Sequence, residues 1–231
     1  MKVYIWDWPL RIFHWLLVIM VALAYLSTIL SSYWLEWHLI IGLIILSLFV
    51  FRMIWGFLGS YYAQFSQFLF RKNRDNDLDG LGHSYHGGIS VFVMLVHILL
   101  LSITGVFSYS EETELAGQLY FLASGELADF MSYWHALLFD SLVVFVLFHL
   151  VAIFYYDIFL RKNLVGTMIF GYKNIHSNLI KVPKLKVKKI NLALSLAFSF
   201  AMIAFIYNAE AISNLCNKEK TNSINVKQQN W

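Results

Sequence analysis

The chain has 231 residues, of which 59% are hydrophobic and 13% charged, with a formal net charge of +3. Soluble domains carry about 25% charged residues, so this composition excludes an ordinary water-soluble fold and points to a lipid environment. The single cysteine, Cys216, excludes an intrachain disulfide; there is no C-x-x-C-H, so haem cannot be attached covalently, and nothing suggests a nucleic-acid partner.

A bilayer core takes about 20 apolar residues per helix, and five stretches qualify. They are 12–30, 37–58, 87–108, 134–157 and 190–208. Pro9 and Pro183 lie outside all five, so no span is broken by proline. Alternating strand patterns are absent, which excludes a barrel. The expected fold is therefore an all-α membrane protein with five spans. Its parts are a four-helix transmembrane unit over 1–175, a basic linker over 176–189, a fifth helix over 190–208, and a polar tail over 209–231, of which 217–231 is expected to be unordered. The segment 61–70, YYAQFSQFLF, is expected at the membrane interface.

Lys and Arg orient the spans. Lys2 and Arg11 precede span one; Arg71, Lys72 and Arg74 follow span two; eight basic residues lie between 158 and 189. The connections 31–36 and 109–133 hold none, and the latter carries Glu111, Glu112, Glu114, Glu126 and Asp129. The N-terminus is thus expected in the cytoplasm and the C-terminus in the periplasm of a bacterial inner membrane. Lys218, Lys220 and Lys227 in the tail run against this rule, but the larger inner cluster outweighs them.

This topology sorts four histidines by depth. His14 and His149 fall near the inner surface, His38 and His135 near the outer one. His135 and His149 are fourteen residues apart, which on a helix is about 21 Å of rise and a return to within roughly 40° of one face. A six-coordinate haem takes two axial nitrogens from opposite sides, and helix bundles commonly house such sites. Zinc prefers four ligands, and two per depth are too few. Taken singly, each histidine is also compatible with a hydrogen-bonded or snorkelling side chain.

Other residues surround this pattern. Arg52 could grip a haem propionate in bidentate fashion or reach lipid phosphate, and Arg11, one turn before His14, has the same two options. His83 and His86 enter span three from the cytoplasm, where a histidine can hydrogen-bond a quinone carbonyl, pass a proton or simply lie exposed. His97, mid-span, is expected to be packed and satisfied. Asp140, one turn beyond His135, is a carboxyl that hydrogen-bonds a neighbour or carries protons. Gly42 and Gly105 allow close approach of a helix or a porphyrin.

The segments WPLRIFHW (8–15), EWHLIIG (36–42), FRMIWGFLG (51–59), LGH (81–83) and YWHALLFDSLVVFVLFH (133–149) resemble the bacterial cytochrome b561 and nickel-iron hydrogenase b-type cytochrome family, and GTMIFGYK (166–173) resembles the end of the hydrogenase subunit. The resemblance covers roughly 4–175. It implies a four-helix core with two haems b, His14 and His149 ligating the inner one and His38 and His135 the outer one. It favours His83 over His86 as a quinone neighbour. The short first outer connection and the fifth span depart from the hydrogenase subunits.

The implied role is electron transfer between the membrane quinone pool and a periplasmic partner, either a c-type cytochrome or a hydrogenase or other dehydrogenase subunit. A superoxide:quinone oxidoreductase and a haem-free membrane anchor are the other readings, and a homodimer is left open.

Overall fold

A computed structural model describes residues 2–30, 32–67, 85–174 and 185–229. The five expected spans are helices: α1 (Trp8–Leu30), α2 (Ser32–Leu58), α3 (Tyr85–Phe107), α4 (Gly125–Ile158) and, after a short α5 (Leu164–Phe170), α6 (Lys189–Gln229). Each of the five is long and apolar enough to cross a membrane. The protein is an all-α membrane protein. α1 packs on α2, α3 on α4, and α2 joins the two pairs through α3. α6 lies against the back of α2, where the Ser47 hydroxyl donates to the Ser199 carbonyl at 3.4 Å and the Asn191 amide to the Leu58 carbonyl at 2.6 Å.

Local chemistry sets the ends of the helices. Asp7 caps α1, its carboxylate accepting from the Leu10 amide at 2.8 Å, and Pro9 in the first turn removes an amide that would have no intrahelical partner. α4 begins nine residues before the expected start of span four, because Ser124 caps it, accepting from the Leu127 amide at 3.3 Å, with Glu126 in its first turn. The acidic connection therefore shrinks to a small hairpin, β2 (Tyr109–Ser110) with β3 (Leu115–Ala116), and a single 3-10 turn. Asp157 near the end of α4 reaches forward to the Leu164 and Val165 amides and so starts α5.

One expectation is corrected: the end from 217, expected to be unordered, continues as helix to Gln229, and no proline or glycine follows Pro183 to stop it. Residues 61–67 of the aromatic segment fold into two 3-10 turns that bury Tyr62, Ala63 and Phe65. The chain also makes a short ladder that its hydropathy hides. β1 (Lys2–Tyr4) pairs antiparallel with β4 (Tyr172–Asn174), and the Ile5 and Trp6 amides donate to the Gly171 carbonyl at 2.8 and 3.1 Å. Gly171 has φ +83°, and a Cβ there would lie 2.9 Å from the Trp6 carbonyl oxygen, so only glycine fits.

This clasp gathers cations at one end of the bundle. Lys2 lies over the Tyr172 ring at 4.7 Å, Lys162 over Tyr156 at 5.1 Å, and burial together with Lys162 pushes the Lys173 ammonium below the usual lysine range. The same end holds a buried polar knot. Asp7 accepts from the Trp55 indole at 3.1 Å and from the Ser60 hydroxyl, tying the start of α1 to the end of α2. Trp55 is fully buried and stacks on Phe51 with ring centres 5.9 Å apart.

Replacing Asp7 with Ala should remove the cap and leave the Trp55 and Ser60 donors buried without an acceptor. We expect a loss of about 2–4 kcal/mol, read as a lower midpoint in denaturant titration of the detergent-solubilised chain. An unchanged midpoint would mean that the knot does not stabilise the bundle.

Candidate functional site

The groove between the α1–α2 pair and the α3–α4 pair is lined by histidines at two depths. At the outer depth, His38 of α2 and His135 of α4 face each other with ring centres 6.1 Å apart and planes at 89°. Each ring fixes its Nδ1 in the same way. His38 Nδ1 lies 3.0 Å from the Ala24 carbonyl of α1, with the Ser27 hydroxyl at 3.2 Å. His135 Nδ1 lies 2.9 Å from the Leu101 carbonyl of α3, with the Thr104 hydroxyl at 3.3 Å. A backbone carbonyl can only accept, so Nδ1 carries the proton and Nε2 keeps its lone pair. That is the tautomer of a metal-ligating histidine whose other nitrogen is held by a second group.

Space and spacing agree with this chemistry. The two histidines line adjoining cavities of about 250 and 410 Å³. Gly42 borders both, and a Cβ added there would meet nothing within 4 Å. Gly105 has a different role: a Cβ there would lie 2.8 Å from His135 Cε1, so the ring packs directly on the α3 backbone. With a metal–imidazole bond of about 2.0 Å and about 1.1 Å from nitrogen to ring centre, two rings on opposite sides of one ion stand about 6.2 Å apart. Among the described residues no group of three or more His, Cys, Asp or Glu gathers to cage a bare metal ion. The pair suits a metal that brings its own equatorial donors.

At the inner depth, His14 of α1 lies close enough to His149 of α4 to feel its charge. His14 Nδ1 is buried with no hydrogen-bond partner, and its ring meets Trp15 edge-on at 5.2 Å. Arg52 is 1% exposed; its guanidinium lies over the Phe65 ring at 4.5 Å, near enough to Asp7 to feel its charge, while both Nη atoms lack a hydrogen-bond partner. A buried guanidinium with unmet donors is costly, and a carboxylate is its natural complement. Arg11 is partly committed elsewhere: Nη1 donates to the Ile169 carbonyl at 2.6 Å, while Nε is buried and unmet.

The remaining candidates separate. His97 is the packed residue expected: its Nε2 is 2.8 Å from the Leu138 carbonyl and 3.1 Å from the Ser141 hydroxyl, and its ring meets Phe145. Asp140 is exposed on the side of α4 turned away from the groove. His83 lies outside the described residues, and His86 falls in the first turn of α3. The sequence did not single out Ser27 and Thr104, which stand beside the carbonyl-bound Nδ1 atoms of His38 and His135, or Asp7. The Asp7 signal was legible: an Asp before Trp-Pro at the start of an apolar run marks a cap.

A transmembrane bundle with imidazoles facing each other across its groove defines a membrane protein of the cofactor-bearing, electron-carrying class. The chain matches the family described as prokaryotic cytochrome b561 over residues 5–171, and it belongs to that family. It is thus a multi-pass membrane b-type cytochrome of electron transfer, and the family binds haem b. No curated protein and no solved structure matches the chain.

Gly105→Ala should drive a methyl into the His135 ring and lower haem retained per chain by about half, read as pyridine haemochrome absorbance against protein. Gly125→Ala, where an added Cβ meets nothing within 4 Å and which lines neither cavity, is the matched control for backbone effects.

Proposed function

We propose that this cytochrome holds two haems b and moves electrons between them across the inner membrane. His14 and His149 would ligate the haem near the cytoplasmic face, and His38 and His135 the haem near the periplasmic face. The observation that carries this reading is the outer pair: two imidazoles 6.1 Å apart, each with Nδ1 on a helix carbonyl and Nε2 left for the groove. The inner pair lacks those carbonyl bonds: His14 Nδ1 is buried without a hydrogen-bond partner. When bound, the haem iron supplies the one-electron chemistry.

The chain's own residues do the rest. The Ala24 and Leu101 carbonyls orient the outer rings and make them more basic. Arg52, and through its Nε Arg11, offers unmet donors to haem propionates at the inner end. Below the outer pair, Ile41, Ile45, Ile98 and Leu142 form an apolar cluster. His135 and His149 are about 21 Å apart along α4, and extended macrocycles shorten the gap that an electron must cross.

The cationic clasp is assigned to the cytoplasm by the positive-inside rule, and the acidic hairpin of Glu111, Glu112 and Glu114 to the periplasm. Quinone would exchange electrons at the inner end, where His83 is the candidate neighbour. A basic redox partner, a c-type cytochrome or a dehydrogenase subunit, would be steered to the acidic outer face. Lipid covers the remaining apolar surface.

Reduced-minus-oxidised spectra with a pyridine haemochrome assay test this. The purified chain should hold two non-covalent haems. His38→Ala or His135→Ala should each remove one, His14→Ala or His149→Ala the other, and the outer and inner variants should lose spectrally distinct components. One haem insensitive to either pair, or none in a folded chain, would refute it.

A further inference from the structure

α4 carries a second periodic face that the histidines do not use. Leu137, Val144, Val151 and Ile158 recur every seven residues, and Tyr133, Asp140, Leu147 and Phe154 recur every seven residues between them. All eight are exposed. By helix geometry this seam lies roughly 150–170° from the His135–His149 direction, so it faces straight out of the bundle. Among membrane-spanning helices α4 packs chiefly on α3, and the eight residues of this outer side are exposed among the described residues.

An apolar face needs no cover in lipid, but Asp140 does. The aromatic pairs Tyr133–Trp134 and Tyr155–Tyr156 are 22 residues apart, about 33 Å along the axis and close to the thickness of a bilayer core. Asp140 lies about 9 Å inside the outer pair. Its side chain is too short to snorkel back to the headgroups, and a polar group facing hydrocarbon is costly. Whatever covers this seam must hydrogen-bond a carboxyl at that depth.

We propose that the seam is the interface with a second copy of this chain, packed α4 against α4 in parallel about a two-fold axis along the membrane normal. All copies share one topology, so such an axis sets each residue at the depth of its own counterpart and brings the two Asp140 carboxyls together. Two carboxyls that share a proton satisfy each other. The seven-residue repeat is that of a left-handed pair, with β-branched residues at three of the four positions of the Leu137 series and Leu147 in the other series, the pattern of parallel two-stranded pairs. Asp140 is then the single polar position that fixes the register.

The test uses the full chain in its membrane, with Cys216→Ser and single cysteines introduced. Val144→Cys and Leu147→Cys should give disulfide-linked dimers on mild oxidation, whereas Val146→Cys, whose side chain packs inside the bundle, should give none. Energy transfer between labelled chains in vesicles should show association about tenfold weaker in Asp140→Leu and restored in Asp140→Asn, whose amides pair in the same way. Cross-linking that ignores the seven-residue pattern, an unchanged association in Asp140→Leu, or adducts of Val144→Cys to a different protein would each overturn the proposal. If Asp140→Leu does not fold, the cysteine pattern with Asp140 in place decides alone.

Discussion

The imidazole Nδ1 bonded to the carbonyl of a neighbouring helix is the contact on which this molecule turns. Inside a bilayer no water is available, so each ring nitrogen needs a partner within the protein or a ligand. His38 bonds back to Ala24 of α1, and His135 to Leu101 of α3. Each bond does two things. It staples one helix pair, α1 to α2 or α3 to α4, and it turns Nε2 toward the groove between the pairs. The packing follows the same division: most extensive within each pair, and joined across where α2 meets α3 and where Tyr25 of α1 stacks on Phe139 of α4. At the outer depth Gly42 leaves the groove unfilled, and Gly105 lets the His135 ring pack on the α3 backbone.

The two ends of the groove are built differently, and the difference follows from what each must hold. The outer end is roofed by the small hairpin and lined by hydroxyls such as Ser102, Ser108, Ser110 and Thr113, with no cation among its lining residues. The inner end is closed by the β1–β4 ladder and by the knot of Asp7, Trp55 and Ser60. Arg52 is the charged member of that inner core. Asp7 lies near it without a hydrogen bond, because the carboxylate already accepts from Leu10, Trp55 and Ser60. The guanidinium is left with positive charge and free donors in a dry place, the condition in which a further anion binds best.

Much of this was readable in the sequence, for identifiable reasons. Span number came from apolar length, which lipid enforces. The depth pairing of His14 with His149 and His38 with His135 came from charge bias and helical rise alone. The start of α4 was misplaced because its first turns, residues 125–133, are polar and lie beyond the apolar run, where only the Ser124 cap marks a helix. The β1–β4 ladder was missed because three-residue strands at distant positions have no periodicity to read. Residues 61–67 read as interfacial from their aromatics, and hydropathy alone could not show that Tyr62, Ala63 and Phe65 pack inward. Which nitrogen of a histidine is committed is a tertiary fact, since it depends on a carbonyl 14 or 34 residues away.

Between the two histidine levels the bundle is hydrocarbon: Ile41, Ile45, Ile98 and Leu142, backed by Leu17, Met20 and Val21. His97, close to this level, is held through Nε2 by the Leu138 carbonyl and the Ser141 hydroxyl and packs on Phe145. An ion needs solvating groups at every step, and at this level the chain offers few besides His97 and Ser141. An electron needs only short distances between its donor and acceptor. On the proposed two-haem reading, this mostly apolar level therefore favours the passage of electrons over that of ions.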